Sequence, residues 1–274
     1  MTDRYAVIGN PVAHSKSPRI HAEFARQTGQ DMVYDRLPAP LDAFAATARQ
    51  FFSAGGKGLN VTLPFKHEAC ALAQERSPRA ERARAVNILT VTDGRIMGDN
   101  TDGAGLVRDI TVNLRCLLRN RRILLMGAGG ASWGVIAPVL DEAPQSVVVA
   151  NRTIGKAVEL AAHFARDAGA KAALHSAEYR ELAGRQFDVV INATSAGLSG
   201  EMPPLPGHIF APDALAYDMV YGRDTPFLEF ARRHGARAAD GLGMLVEQAA
   251  EAFFIWRGVR PRTAPVIAML KHET

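Results

Sequence analysis

The chain is patterned in short apolar runs that end at glycine or proline, each followed by a stretch with helical spacing. Tyr5-Ala6-Val7-Ile8-Gly9 is the first run and stops at Asn10-Pro11; after a polar loop, Pro18 suits the first turn of a helix reaching Thr28. Met32 to Leu37 reads as a second strand, Leu41 to Phe52 as a helix stopped by Gly55-Gly56, and Lys57 to Leu63 as a third strand. Pro64-Phe65-Lys66 opens another helix. Val86 to Val91 and Arg95 to Gly98 make a hairpin around Asp93-Gly94. Strands alternating with helices predict a first α/β domain over residues 1–101.

From Asp102 to Leu118 the spacing is helical, with Leu106, Ile110 and Leu114 at i, i+4 and i+8, and this helix is expected to bridge into a second domain over residues 102–240. There Arg122-Ile123-Leu124-Leu125-Met126 breaks into Gly127-Ala128-Gly129-Gly130-Ala131-Ser132 and resumes as Trp133-Gly134-Val135-Ile136-Ala137. A strand, a tight turn and a helix start follow one another, and Ser146 to Asn151 adds a strand one helix later, making a βαβ unit. Gly127 lets the chain turn, Gly129 lets backbone N–H groups approach a pyrophosphate, and the helix N-terminus adds partial positive charge. The pattern is that of a dinucleotide site. A helix over Gly155 to Asp167, strands at Asp188 to Ala193 and Leu215 to Val220, a helix at Pro226 to His234 and a short strand at Ala236 to Ala239 follow. Asp240-Gly241-Leu242-Gly243 then breaks the chain before a long helix to Trp256.

The end of the second strand of the βαβ unit distinguishes the two nicotinamide cofactors. NAD sites usually place an acid there for the ribose 2′-OH, whereas NADP sites place cations near the 2′-phosphate. Here stand Asn151-Arg152-Thr153 and Lys156, with no carboxylate among them, so NADP is expected.

Composition narrows the classes further. At 274 residues and 47% hydrophobic content the chain suits one large or two ordinary globular domains. The long uncharged run from Ile123 to Leu140 holds four glycines, Ser132 and Pro138, and is better explained by the glycine turn than by a membrane span. The N-terminus runs straight into a strand with no signal or transit pattern, so a cytoplasmic protein is expected. Cys70 and Cys116 are too few for a disulfide framework or a zinc site. A net charge of +4 draws on clusters such as Arg79, Arg82 and Arg84, but no stacking aromatics interleave with them, and neither nucleic acid nor membrane is an expected partner. Solvated helix faces, with attraction of anionic small molecules, account for the charge.

Three polar stretches suggest chemistry. Lys66 lies at a helix N-terminus, where its charge opposes the helix dipole and its ammonium faces the ligand-binding end of a sheet. Gly98-Asp99-Asn100-Thr101-Asp102-Gly103 places two acids at the start of the bridging helix, where a carboxylate is favoured; chemistry alone does not choose between them. Gln248 falls on the same face of the last long helix as Leu245, Ala252 and Ile255, so either it bonds backbone in a core or that face borders a polar ligand.

Taken in order, these stretches resemble the NADP-dependent shikimate dehydrogenase family. The matching segments are Gly9-Asn10-Pro11 with Ser15-Lys16-Ser17-Pro18, Asn60-Val61-Thr62-Leu63-Pro64-Phe65-Lys66, Ala85-Val86-Asn87 and Gly98 to Gly103. They continue through Gly127 to Ala131, Asn151-Arg152-Thr153, Asn192-Ala193-Thr194-Ser195, Tyr217-Asp218-Met219-Val220-Tyr221 and Asp240 to Leu245.

The resemblance implies an α/β fold: an N-terminal substrate domain completed by C-terminal helices over residues 241–274, a Rossmann-like doubly wound NADP domain, and a cleft between them. It implies Lys66 and Asp102 as the catalytic pair, choosing Asp102 over Asp99. Ser15, Ser17, Thr62 and Tyr221 are implied on the substrate carboxylate, Asn87 and Gln248 on its ring hydroxyls, and Asn60 in the same pocket. Gly127, Ala128, Gly129, Gly130, Ala131, Asn151, Arg152, Thr153 and Lys156 are implied to hold NADP, with Thr194, Met219 and Gly241 near its nicotinamide half. No metal is needed for such a reaction, and a monomer or homodimer is expected. Trp133 and Lys156 depart from the arginines common in the family, which bears on cofactor preference rather than on the reaction.

The implied reaction is the reduction of 3-dehydroshikimate to shikimate in aromatic amino acid biosynthesis. The alternatives are a quinate/shikimate dehydrogenase with broader substrate and cofactor use, and a non-catalytic NADP-sensing protein on the same fold. The absence of an acid after Arg152 and the presence of Thr62 speak against the first. Retention of both Lys66 and Asp102 speaks against the second.

Overall fold

The structure, a computed structural model, describes residues 2–165 and 173–272. The described chain divides into two compact units, one taking the chain as far as Gly105 and again from Leu245, the other Leu106–Met244.

The first unit is built on strands β1 (Asp3–Gly9), β2 (Met32–Pro38), β3 (Gly56–Val61), β4 (Glu75–Arg76), β5 (Ile88–Thr92) and β6 (Arg95–Asp99), in the order β2-β1-β3-β5-β6-β4. β2, β1 and β3 are parallel, as their helical crossovers require, while β5 runs antiparallel to β3 and returns as β6 through the Asp93-Gly94 turn. Helices α1 (Ser17–Thr28), α2 (Phe44–Ser53), α3 (Lys66–Leu72) and α4 (Pro78–Ala83) lie along its first hundred residues. Strand alternation sends Ile8, Leu59 and Val61 into a core with Phe44, Phe51 and Phe65. The opposite set, Tyr5 and Val7, packs with Tyr34 and Trp256. Gly58 lies on that second face, where a Cβ would stand 2.5 Å from the Trp256 indole nitrogen.

Helix α5 (Asp102–Arg108) carries the chain onward. The expected helix to Leu118 is shorter: after Arg108 the ladder widens into a π-helical turn over Asp109–Asn113 and stops. Leu114 N–H donates to the Asp109 carbonyl and Cys116 N–H to the Ile110 carbonyl. The cause is tertiary. The Asp109 side chain turns inward, where its carboxylate accepts a 2.6 Å hydrogen bond from the buried Tyr217 hydroxyl.

The second unit holds β7 (Arg122–Met126), β8 (Ser146–Ala150), β9 (Ala173–Ala177), β10 (Phe187–Asn192), β11 (Phe210–Asp218) and β12 (Arg237–Asp240). All six are parallel, in the order β9-β8-β7-β10-β11-β12. This is the doubly wound Rossmann order, with its switch point between β7 and β10. Helices α6 (Gly130–Asp141), α7 (Ile154–Ala165) and α8 (Pro226–Arg233) supply crossovers. The strands are buried on both faces, so Val147, Val148 and Val149 are all fully buried. Helix α9 (Leu242–Arg257) and helix α10 (Ala264–Lys271) end the described chain.

Two further expectations change. The strand expected over Lys57 to Leu63 runs Gly56–Val61: Thr62 N–H makes the last ladder bond, to the Ile8 carbonyl, and Phe65 N–H then donates to the Thr62 carbonyl in a turn that hands the chain to α3. β11 starts at Phe210, not Leu215, and ends at Asp218. The helix expected through Asp167 is described to Ala165; its end lies outside the described residues. No helix among the described residues is long and apolar enough to cross a membrane.

Candidate active site

Lys66 is the first residue of α3, and its Nζ donates to Asp102 Oδ2 at 2.5 Å. Both side chains are largely buried, 16% and 7% exposed. The other Asp102 oxygen accepts from Asn87 Nδ2 at 2.9 Å, and Asp102 N–H donates to Asn100 Oδ1. Asn87 in turn accepts from Thr101 N–H at 2.8 Å. The carboxylate is therefore gripped on both oxygens, while two of the three lysine donors are not used by it. Such a geometry can hold an ammonium against a substrate oxygen and return a proton to it.

Asp99 is engaged elsewhere. Its carboxylate accepts from Arg79 at 2.6 and 2.8 Å, from the Ser77 hydroxyl and from Asn100 N–H. Burial pushes its pKa up, but Arg79 and Ser77 outweigh burial and hold it below the ordinary value. Arg79 also bonds Glu251, tying β6 and α4 to α9.

Of the other positions expected on the substrate, one bonds into the Lys66–Asp102–Asn87 cluster. Gln248 joins it directly: its Oε1 lies 3.5 Å from Asn87 Nδ2, and its Nε2 donates to the Leu245 carbonyl. The backbone bond agrees with the first reading of that glutamine, and its other end meets the side-chain cluster of Asn87. Ser17 is buried at the start of α1, and its N–H donates to Ser15 Oγ at 3.2 Å. Arg36 holds the Ser15 carbonyl at 2.6 Å. Asn60 is buried on β3, with its Oδ1 accepting from the Tyr34 hydroxyl at 2.7 Å. Thr62 follows β3 and packs so closely on β1 that a Cβ at Gly9 would meet its methyl at 2.4 Å. Tyr221 belongs to the second unit, and burial raises its phenol pKa.

In the second unit, Gly127 takes φ +101° at the end of β7, a conformation glycine tolerates best, and a Cβ there would stand 3.1 Å from the Ala193 carbonyl of the β10 end. Gly129 caps the N-terminus of the twelve-residue α6, and its Cβ position is open, leaving room for a bound group to approach the backbone. Ala128 is buried, and Gly130 and Ala131 begin the helix half-buried. Asn151 Nδ2 donates to the Thr153 carbonyl, forming a turn after β8 from which Arg152, Thr153 and Lys156 project exposed. Thr194 donates through N–H and Oγ1 to Asn192 Oδ1, and Met219 N–H donates to the Asn192 carbonyl. Gly241 N–H donates to the Val220 carbonyl; a Cβ at Gly241 would lie 2.4 Å from the Met219 carbonyl oxygen. Trp133 is no surface residue: its ring packs against His163 and Phe164 of α7.

Sequence reasoning passed over one hub. Asp218, fully buried, accepts from Thr225 Oγ1, Val220 N–H and Asn192 Nδ2, so it fixes both the Asn192–Thr194 turn and the segment that carries Met219 and Tyr221. Burial raises its pKa. Its signal was present as Asp218 and Asn192, each a polar residue closing an apolar strand.

Comparison with known proteins agrees with this architecture. The family described as the shikimate dehydrogenase substrate binding domain matches residues 7–89, that of shikimate / quinate 5-dehydrogenase residues 111–199, and that of the shikimate 5′-dehydrogenase C-terminal domain residues 241–271. A shikimate dehydrogenase (NADP(+)) of Alkalilimnicola ehrlichii is 59% identical over all of both chains. One of Dechloromonas aromatica is 60% identical over 99% of this chain and 98% of its own. A crystal structure of shikimate 5-dehydrogenase from Thermus thermophilus in complex with NADP(H) and shikimate is 32% identical, covers all of both chains and superposes with a TM-score of 0.88. With matches of this extent on the fold and site above, the chain belongs to the shikimate dehydrogenase family.

Proposed function

We propose that this chain catalyses the NADP-dependent reduction of 3-dehydroshikimate to shikimate, with Lys66 and Asp102 as its catalytic pair. The observation that carries the reading is the buried Lys66–Asp102 contact at 2.5 Å, with Asn87 on the second carboxylate oxygen. The glycine turn fits a dinucleotide: Gly127 has the positive φ, the space at Gly129 is open, and α6 begins directly behind. Gly127 to Ala131 would hold the pyrophosphate, Asn151, Arg152, Thr153 and Lys156 the adenosine 2′-phosphate end, and Thr194, Met219 and Gly241 the nicotinamide half. When bound, NADPH supplies the hydride that reaches the ketone carbon.

The protein's own part is electrostatic and acid–base. As negative charge develops on the ketone oxygen, the Lys66 ammonium stabilises it and gives up a proton. Asp102 keeps the ammonium at its station, and Asn87 keeps Asp102 from rotating away. Ser15, Ser17, Thr62 and Tyr221 hold the substrate carboxylate, while Asn60, Asn87 and Gln248 address the ring hydroxyls with amide donors and acceptors. The test is an absorbance assay of shikimate and quinate, each with NADP⁺ and with NAD⁺. Shikimate with NADP⁺ is expected to give the highest kcat/KM; an equal value with quinate or with NAD⁺ would favour the broader quinate/shikimate enzyme.

A further inference from the structure

At the carboxyl ends of β8 and β9 two turns lie against each other. Ala150 pairs with Ala177, and Asn151 N–H then donates to the Ala177 carbonyl at 3.4 Å, which brings the turn carrying Arg152 beside the one that Tyr179 opens after β9. That second turn is fixed at its start, where the Glu178 and Glu181 carboxylates each accept from the other's backbone N–H, and Leu182 at its end is fully buried. The Tyr179 ring is half-buried against the core of Leu124, Met126 and Val148. Its hydroxyl stands near enough to Arg152 to feel the guanidinium charge: burial pushes the phenol up to about 12, and Arg152 offsets this only in part, so the hydroxyl keeps its proton.

This corner is rich in donors and has no acceptor to match them. Among the described residues the side chains of Tyr179, Arg152 and Lys156 make neither a hydrogen bond nor an ion pair, and Glu178, the acid next to Tyr179, is spent on Arg180. Open parallel sheets bind their ligands at the carboxyl ends of the strands, and donors clustered there without an acceptor fit an anion with several oxygens.

We propose that Tyr179 is a specificity-determining residue for the cofactor: its hydroxyl donates to the 2′-phosphate of NADP beside Arg152, adding a neutral donor to the two cations. The inference rests on the reading of Arg152, Thr153 and Lys156 as the 2′-phosphate end, and it extends that end from β8 to the turn after β9. The cations are exposed, act at a distance and are weakened by salt, whereas the phenol is anchored by its ring and acts only in contact. An anchored ring also leaves little side-chain entropy to lose on binding.

The experiment is isothermal titration of the full chain, wild type and Tyr179→Phe, with adenosine 2′,5′-bisphosphate and with AMP, which differ in the 2′-phosphate alone. Phenylalanine keeps the ring on the core, and an unchanged melting temperature shows that the variant is folded. Tyr179→Phe is expected to weaken the bisphosphate about tenfold, as for one hydrogen bond to a charged group, and AMP by less than about twofold. The KM for NADP⁺ should rise by the same factor, with kcat and the KM for NAD⁺ within about twofold. Raising ionic strength should leave the Tyr179→Phe factor in place while shrinking that of Arg152→Ala. In the folded variant, equal losses for the two nucleotides, no loss for the bisphosphate, or a loss that vanishes at high ionic strength overturns the proposal. A wild-type chain that binds the bisphosphate no more tightly than AMP would instead overturn the reading of the 2′-phosphate end beneath it.

Discussion

Lys66 and Asp102 are separated by 36 positions in the chain and meet at 2.5 Å, whereas Asp99, three residues nearer in sequence, is bound to Arg79 and Ser77. Two acids at one helix start thus have different work: Asp102 holds an amine, and Asp99 holds β6 to α4.

The two acids should separate cleanly on substitution. Asp102→Asn keeps the shape but removes the charge that stations Lys66, so kcat for shikimate oxidation is expected to fall by about 10²–10³. Asp99→Asn is expected to leave kcat within about threefold and to lower stability by about 1–2 kcal/mol, because its partner Arg79 is partly exposed. Arg79 and Ser77 depress the Asp99 pKa against the burial that raises it, so its stabilisation is present above the unfolded carboxylate value and is lost as pH falls through the folded one. Urea titrations from pH 7 to 3 should show this acid-side loss in the wild type and less of it in Asp99→Asn.

His21 gives a second pH signature. Complete burial lowers its pKa to about 3, against a smaller opposing contribution from Asn60, so the folded protein keeps the ring neutral while the unfolded chain protonates it near the ordinary value of 6.5. Its contribution to stability is therefore full above that value and declines as pH falls from there toward 3, by about 1.4 kcal/mol per pH unit. His21→Phe should remove this slope between pH 6.5 and 4.5, read as the difference between two urea-denaturation series. Parallel series would show that the imidazole protonates within the fold.

Most strands of both sheets were legible because their signals are local. The apolar run Tyr5 to Gly9 stopped by Asn10-Pro11, the Asp93-Gly94 turn and the glycine break after Met126 are each read within a few residues of chain. What went unread depends on tertiary partners. Glu75–Arg76 is a two-residue strand with no period to detect, and β9 carries Ala-Leu-His-Ser-Ala, a poor strand sequence recruited by β8. Helix α4 did carry a signal: Ser77 caps it by accepting from Ala80 N–H, with Pro78 following. The truncation of the bridging helix followed from Tyr217, a residue 108 positions away that draws Asp109 inward. In the site, the residue types were readable, but the division of labour between Asp99 and Asp102 came from family resemblance, since what distinguishes them is their tertiary partners, Arg79 and Ser77 for one and Lys66 and Asn87 for the other. The Tyr34–Asn60 bond had no sequence signature.

Arg152 projects from the turn after β8, exposed beside Thr153 and Lys156. Each charge-assisted hydrogen bond to a phosphate contributes about 1.5–3 kcal/mol, so Arg152→Ala is expected to raise the KM for NADP⁺ by about ten- to a hundredfold. NAD⁺ has no 2′-phosphate, and its KM should rise much less. Raising ionic strength should reproduce part of the NADP⁺ effect in the wild type by screening. Equal increases for both cofactors would show that Arg152 does not read the 2′-phosphate.

The most direct test of the account is the pair of steady-state constants for Lys66→Ala with shikimate at saturating NADP⁺. An ammonium that acts where charge develops is worth most in the transition state, so kcat should fall by at least about 10²-fold while the KM for shikimate stays within about threefold. An unchanged kcat with a raised KM would contradict the account and make Lys66 a binding residue.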